Sequence, residues 1–148
     1  MKLIDTMEHH QHNSEEILKS RGLRKTPARK EVLELFLQEA KALSKQDIEA
    51  ELGAMDRITL YRTLKSFEDK GLIHEALDGT NHTKYALCEE QCTDEEHQHN
   101  HAHFHCEKCG ITFCVDEVII PNINTPKGLQ INSVEMVLKG LCRQCSPA

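Results

Sequence analysis

Two Cys-x-x-Cys pairs near the end of the chain, Cys106/Cys109 and Cys142/Cys145, restrict its fold more than any other feature. A two-residue spacer lets both sulfurs of a pair turn toward one ion. The second pair, 32 residues further along, can then complete a tetrahedron. A closed four-thiolate site of this kind suits zinc, ties two distant segments together and contributes folding free energy directly. A disulfide framework would need an oxidising compartment, and a thioredoxin-like motif uses one pair rather than two. The four cysteines are therefore read as a structural zinc site.

A chain of 148 residues, 39% hydrophobic and without Trp, has modest material for one large core. Two small domains and a metal clamp fit better. No apolar run is long enough to span a bilayer, and the N-terminus MKLIDTMEHHQHNSEE has no cleavable apolar stretch. The expected setting is the cytoplasm, where thiols stay reduced and available to metals. Net charge is -6, but its distribution is uneven. Lys19, Arg21, Arg24, Lys25, Arg29 and Lys30 form a run with no acidic residue among them. Residues 88–148 are acidic and hold all seven cysteines. A basic N-terminal patch beside an acidic, metal-binding C-terminal part suggests two domains with different tasks.

Local signals order the N-terminal part. The first dozen residues read as disordered, with His9, His10 and His12 solvated. Asn13 and Glu16 can cap a short helix ending at Gly22. Thr26-Pro27 starts a second helix reaching about Glu39, buried through Val32, Leu33, Leu35, Phe36 and Leu37. Ser44 with Asp47 opens a third helix carrying Ile48 and Leu52. Asp56 caps a fourth, ended by Gly71. Leu60, Leu64 and Phe67 give this helix a core face, while Tyr61, Arg62 and Lys65 share an adjoining one. An aromatic hydroxyl beside two cations suits a helix in the major groove of DNA. Residues 72–77, a turn at Asp78-Gly79, and residues 82–87 read as strand, turn, strand. The whole reads as a winged helix-turn-helix whose hairpin touches the DNA backbone. His74 and His82, on the wing, default to the surface. Residues 88–100 read as a hinge. Beyond it, strands are expected at 101–106, 111–115 and 130–139, with a helical or turn-rich segment from Asp116 to Pro121.

His97, His99, His101, His103 and His105 recur at every second residue, so a strand would project them all to one face. Cys88, Cys92 and Cys114 lie outside the four-Cys clamp. Two of the histidines with one or two of these thiols would make a mixed sulfur and nitrogen site, which favours zinc over iron or manganese. The alternative is a loose His-rich tract that buffers metal without fixed geometry.

These pieces together resemble the ferric uptake regulator family of bacterial metal-sensing repressors. The matching segments are Gly22-Leu23-Arg24 with Thr26 to Arg29, Thr59 to Leu64, Gly71-Leu72-Ile73, His101 to Gly110, and Gly140-Leu141-Cys142 through Cys145. The resemblance implies an α+β chain: a winged-helix DNA-binding domain over 1–87, a hinge over 88–100, and a small α/β dimerisation domain over 101–148 holding the structural zinc. It implies a homodimer that grips a palindromic operator in duplex DNA when a second, regulatory metal is bound. Carried over by position, Tyr61 and Arg62 contact DNA, Arg29 contacts backbone, and Arg24 or Lys25 reaches a groove; Lys65 and Arg57 lie on the same helix. For the regulatory metal the resemblance points to Cys88, His101, His103 and Cys114, with His99, Asp116 or Glu117 as substitutes. Iron and peroxide sensors of the family use a histidine where this chain has Ala42, and carboxylates where it has Ala86 and Cys114. Those departures favour the zinc-sensing branch and a regulatory Zn2+. An iron- or peroxide-responsive regulator is the alternative within the family, and a zinc buffer or metallochaperone the alternative outside it. An enzyme is not expected, because a closed four-thiolate site leaves no position for water.

Overall fold

The computed structural model describes residues 14–88, 102–115, 121–132 and 134–147. The expected hinge beyond Cys88, the first dozen residues and residues 116–120 lie outside that set. In chain order the elements are α1 (14–20), α2 (Pro27–Glu39), β1 (Leu43–Ser44), α3 (Lys45–Glu51), α4 (Arg57–Asp69), β2 (Ile73–Glu75), β3 (Lys84–Leu87), β4 (Ala102–Cys106), β5 (Thr112–Val115) and β6 (Met136–Gly140).

Three of the expected caps form, while Asn13 lies outside the described residues. The Thr26 hydroxyl accepts from the Arg29 N–H, with Pro27 opening α2. Ser44 and Asp47 make a reciprocal capping box on α3. The Asp56 carboxylate accepts from the Thr59 N–H and starts α4. That helix stops where Gly71 turns left-handed (φ 68), which a side chain would resist. Its last carbonyls are then taken by Leu72 N to Phe67 O (2.8 Å) and Gly71 N to Glu68 O (3.0 Å).

One apolar core joins these elements: Leu18, Val32, Leu33, Phe36, Ile48, Leu60, Leu64, Phe67 and Ile73 pack together. Phe67 is fully buried at its centre. Phe67→Ala should lower stability by about 3–5 kcal/mol, read as a lower denaturation midpoint, because the surrounding helices cannot collapse into the void.

The wing strands are shorter than the sequence suggests. They form a three-stranded sheet in the order β1-β3-β2, with Ile73 opposite Leu87 and Leu43 opposite Tyr85. The two-residue β1 carries no sequence signal of its own. The C-terminal sheet has the order β5-β4-β6. β4 runs antiparallel to β5, with His103 opposite Cys114, and parallel to β6, with Cys106 opposite Gly140. The last strand begins at Met136 rather than residue 130; among the preceding residues Leu129 and Ile131 are exposed and unpaired by the sheet. Among the described residues no helix is long and apolar enough to cross a membrane.

Candidate metal centres and nucleic-acid face

The parallel pairing of β4 and β6 explains the four-Cys cluster. Cys106 ends β4 and Gly140 ends β6 directly beside it, so both Cys-x-x-Cys turns leave the same end of neighbouring strands. The Glu107 N–H bonds the Gly140 carbonyl at 2.8 Å and locks the two turns together. The four sulfurs lie within 4.8 Å of one another, with Cys109 and Cys142 Sγ 3.8 Å apart. Donors about 2.3 Å from a tetrahedral zinc stand roughly 3.8 Å from each other. The cluster is therefore within about 1 Å of the spacing the ion needs. The backbone N–H groups of Cys109 and Cys142 draw the buried Cys106 thiol down to about 6. Contact with Cys142, then burial, pushes Cys145 up to about 12, so capture of a metal must expel that proton.

A second cluster lies between the wing and the C-terminal sheet. His74 Nε2 of β2 is 3.3 Å from His103 Nε2 of β4 and 3.5 Å from Cys114 Sγ of β5. The three donors fall within 4.8 Å of one another. Mixed nitrogen and sulfur donors 2.0–2.3 Å from a tetrahedral zinc are spaced roughly 3.3–3.8 Å apart, so this set also fits. Cys88 Sγ sits 3.2 Å from His74 Nδ1, on the other side of the same ring.

The surface placement expected for His74 is wrong: it is 6% exposed. Its neighbours Leu72, Ile73 and Ala76 are buried too, because this strand packs inward on both faces. A histidine inside so apolar a run was the available signal. His82 is exposed as expected. His103 and Cys114 come together as the sequence suggested, and Cys88 lies beside them through His74. His99, His101, Asp116 and Glu117 fall outside the described residues. So do Cys92 and His97. His105 shares the β4 face with His103 but bonds Thr112 Oγ1 at 3.0 Å and lies 3.5 Å from Asp78.

The winged part presents its cations on α4 and near α1. Tyr61 is 56% exposed, and Arg62 and Lys65 are exposed beside it. The Lys45 ammonium stands 5.0 Å over the Tyr61 ring, which holds the aromatic upright and adds charge to that face. Lys65 pairs with Asp69 at 3.1 Å, and Arg57 approaches Glu49 at 3.8 Å. Lys25 and Lys30 both bind Glu15, at 3.0 and 2.9 Å. Hydrogen bonds from Lys30 and Lys25 hold the Glu15 carboxyl down near 2, so it stays ionised and offsets part of the basic run. Arg29 donates to the Arg24 carbonyl at 2.9 Å, while Arg24 is exposed.

A winged helix joined through an imidazole and thiol cluster to a sheet whose four cysteines could hold a metal defines a metal-binding, DNA-binding regulator. Residues 20–139 match the Ferric uptake regulator family, and the chain belongs to that family of metal-responsive transcription regulators, which act on DNA and are not enzymes. A ferric uptake regulation protein of Staphylococcus epidermidis (strain ATCC 12228) is 33% identical over 141 residues, covering 87% of this chain and 91% of that one. Among solved structures, a zinc uptake regulator complexed with zinc and DNA is 25% identical, covers 95% of both chains and has a TM-score of 0.58. The Vibrio cholerae ferric uptake regulator shares the fold at 23% identity and a TM-score of 0.54, covering 86% of this chain and 98% of that one. As a family member the chain binds metal ions and works as a homodimer on duplex DNA.

Proposed function

We propose that this chain is a zinc-responsive repressor of metal-uptake genes, which seats on a palindromic operator when a regulatory zinc is bound. The observation that carries the reading is the meeting of His74, from the winged-helix domain, with His103 and Cys114, from the dimerisation sheet, at zinc donor spacing. A metal held by all three would join the two domains. The fourth donor is Cys88, which would have to swing from the Nδ1 side of the His74 ring to the Nε2 side, or His101, with His99, Asp116 and Glu117 as substitutes. Among the described residues the donors are imidazole and thiolate, a softer set than iron usually takes. An iron-responsive regulator is the second reading, favoured by the names of the curated relatives.

The structural zinc belongs to Cys106, Cys109, Cys142 and Cys145. Tyr61 and Arg62 read bases from α4. Arg29 contacts the phosphate backbone, Lys65 and Arg57 add positive charge on α4, and Arg24 reaches a groove, with Lys25 a weaker contributor because Glu15 already neutralises it. The winged domain runs to residue 87, the hinge over 88–100 and the dimerisation domain from 101. Ile123, Leu129, Ile131, Leu138 and Leu141 expose apolar surface that the second subunit would cover. A DNA target and ligand thiols that must stay reduced fit a cytoplasmic setting.

Fluorescence anisotropy with a labelled metal-uptake promoter fragment, in buffers of fixed free zinc, tests this reading. Saturating zinc should tighten binding about 100-fold, a coupling of about 3 kcal/mol. Iron(II) at matched free concentration should fail to do so. A response to iron(II) alone would establish the second reading, and no response to either metal would end both. Arg62→Ala should weaken operator binding by about 1–3 kcal/mol and relax sequence preference, leaving zinc uptake unchanged.

A further inference from the structure

The wing turn is bound where a DNA-touching turn would be open. Asp78 lies between β2 and β3, and its side chain is 0% exposed. One oxygen is taken by its own turn, accepting from the Thr80 N–H at 2.9 Å and from the Thr80 hydroxyl. The other points across to the dimerisation sheet. It meets Lys84 Nζ at 2.8 Å, accepts from Thr112 Oγ1 of β5 at 2.9 Å, and lies 3.5 Å from His105 Nδ1 of β4. Lys84 also donates to the Gly110 carbonyl and to Thr112 Oγ1, each at 3.1 Å. The Ala42 N–H bonds the Thr112 carbonyl at 2.7 Å from the other side. Gly79 (φ 77) completes the seat. Its left-handed backbone favours glycine, and a Cβ there would stand 2.7 Å from the flexible end of Lys139 of β6, at Nζ. The turn thus touches residues of all three strands of the C-terminal sheet.

We propose that this turn is an interdomain latch, which fastens the winged-helix domain to the dimerisation sheet without metal and so presets the metal-binding pocket beside it. The sheet register carries the argument. Thr112 is opposite His105, and two residues along the same strands Cys114 is opposite His103. Residues two apart on a strand share a face. One rung of the β4–β5 ladder therefore grips Asp78, and the next rung on that face meets His74 from the same hairpin. Once the first rung is fastened, little freedom remains for the second to lose when a metal arrives. A buried ion pair adds little net stability but sets geometry, because any other register leaves a carboxylate desolvated and unpaired. Burial alone would raise the Asp78 pKa; the bonds from Lys84, Thr80 and Thr112 outweigh it and hold the carboxyl well below the usual range.

The presetting part rests on the zinc-sensing reading; the latch does not. The test compares full-length wild type with Thr112→Val, a change of similar shape that removes the bridging hydroxyl and leaves Asp78, Thr80 and Lys84 in place. Thr112→Ser, which keeps a hydroxyl, is the control for packing. Each protein keeps its four-Cys zinc and is stripped of other metal. Small-angle scattering should give a larger radius of gyration for Thr112→Val than for wild type or Thr112→Ser. Its affinity for the second zinc should fall about tenfold, with wild-type dimensions restored at saturating zinc. Wild-type dimensions in the stripped Thr112→Val protein would overturn the latch. Expansion with unchanged zinc affinity would overturn its hold on the metal pocket. If wild type takes up no second zinc, the zinc-sensing reading fails while the scattering comparison still decides the latch.

Discussion

Cys109→Ser will empty the structural metal site and dismantle the C-terminal half of the protein. Nothing local replaces what the metal does there. β4 and β6 pair in parallel from distant parts of the chain, and the two Cys-x-x-Cys turns at their ends meet at the sulfurs. The sheet around them buries little: among its residues only Ala102, His103, Cys106 and Thr112 are buried, while Leu138 and Leu141 are exposed. A structural zinc in a small domain is worth about 10–16 kcal/mol at neutral pH, as much as the whole stability of an ordinary domain of ~5–15 kcal/mol. Removing one thiolate should therefore cost the fold and not merely lower a midpoint. Zinc content should drop by one ion per chain, and sedimentation should show monomers in place of dimers. The α2–α4 core shares no side chain with the clamp, so helical circular dichroism should persist. A Cys109→Ser protein that sediments as a dimer with full zinc content would refute the assignment.

His74→Ala should separate zinc sensing from folding. The variant should keep the structural zinc, remain a dimer, and lose the roughly 100-fold gain in operator affinity that the proposed zinc response expects of the wild type. The reason is positional. His103 and Cys114 both belong to the dimerisation sheet, and a metal held by them alone would not touch the winged domain. His74 is the donor that crosses. Deleting a buried imidazole also leaves a void, so His74→Asn, closer in shape, should accompany it. Both should bind DNA as metal-free wild type does, at every free zinc level. Retention of the zinc response in both variants would remove His74 from the sensor and return the site to the hinge ligands.

The difference between these two clusters explains what was readable in the chain. Cys106 with Cys109, and Cys142 with Cys145, are candidate ligands at fixed short spacing, so each half of the cluster is written locally. The caps at Thr26, Ser44 and Asp56 are equally local, and each helix began where its cap placed it. His74 carries no such mark. Its partner His103 is 29 positions away, and the burial that brings them together comes from packing two sheets. Asp78-Gly79 was readable only in part. The pair has turn chemistry and does turn the chain, but nothing local marks that Asp78 is buried against Lys84 and Thr112. β1 was invisible because two residues hold no periodicity. β6 was drawn too long because alternation at Val134 and Met136 says nothing about where the neighbouring strand ends.

The side-by-side, same-direction alignment of β4 and β6 bears on how the protein is made. No hairpin can nucleate that contact, since the segment between must travel out and back before the ends meet. Closing so long an excursion slows assembly. The helical domain, emerging first from the ribosome and rich in neighbouring contacts, can mature alone. A cell starved of zinc should then accumulate chains with a finished head and an unfinished tail, open to proteases. Scarcity would thin the population of the regulator itself, in addition to silencing the copies already built.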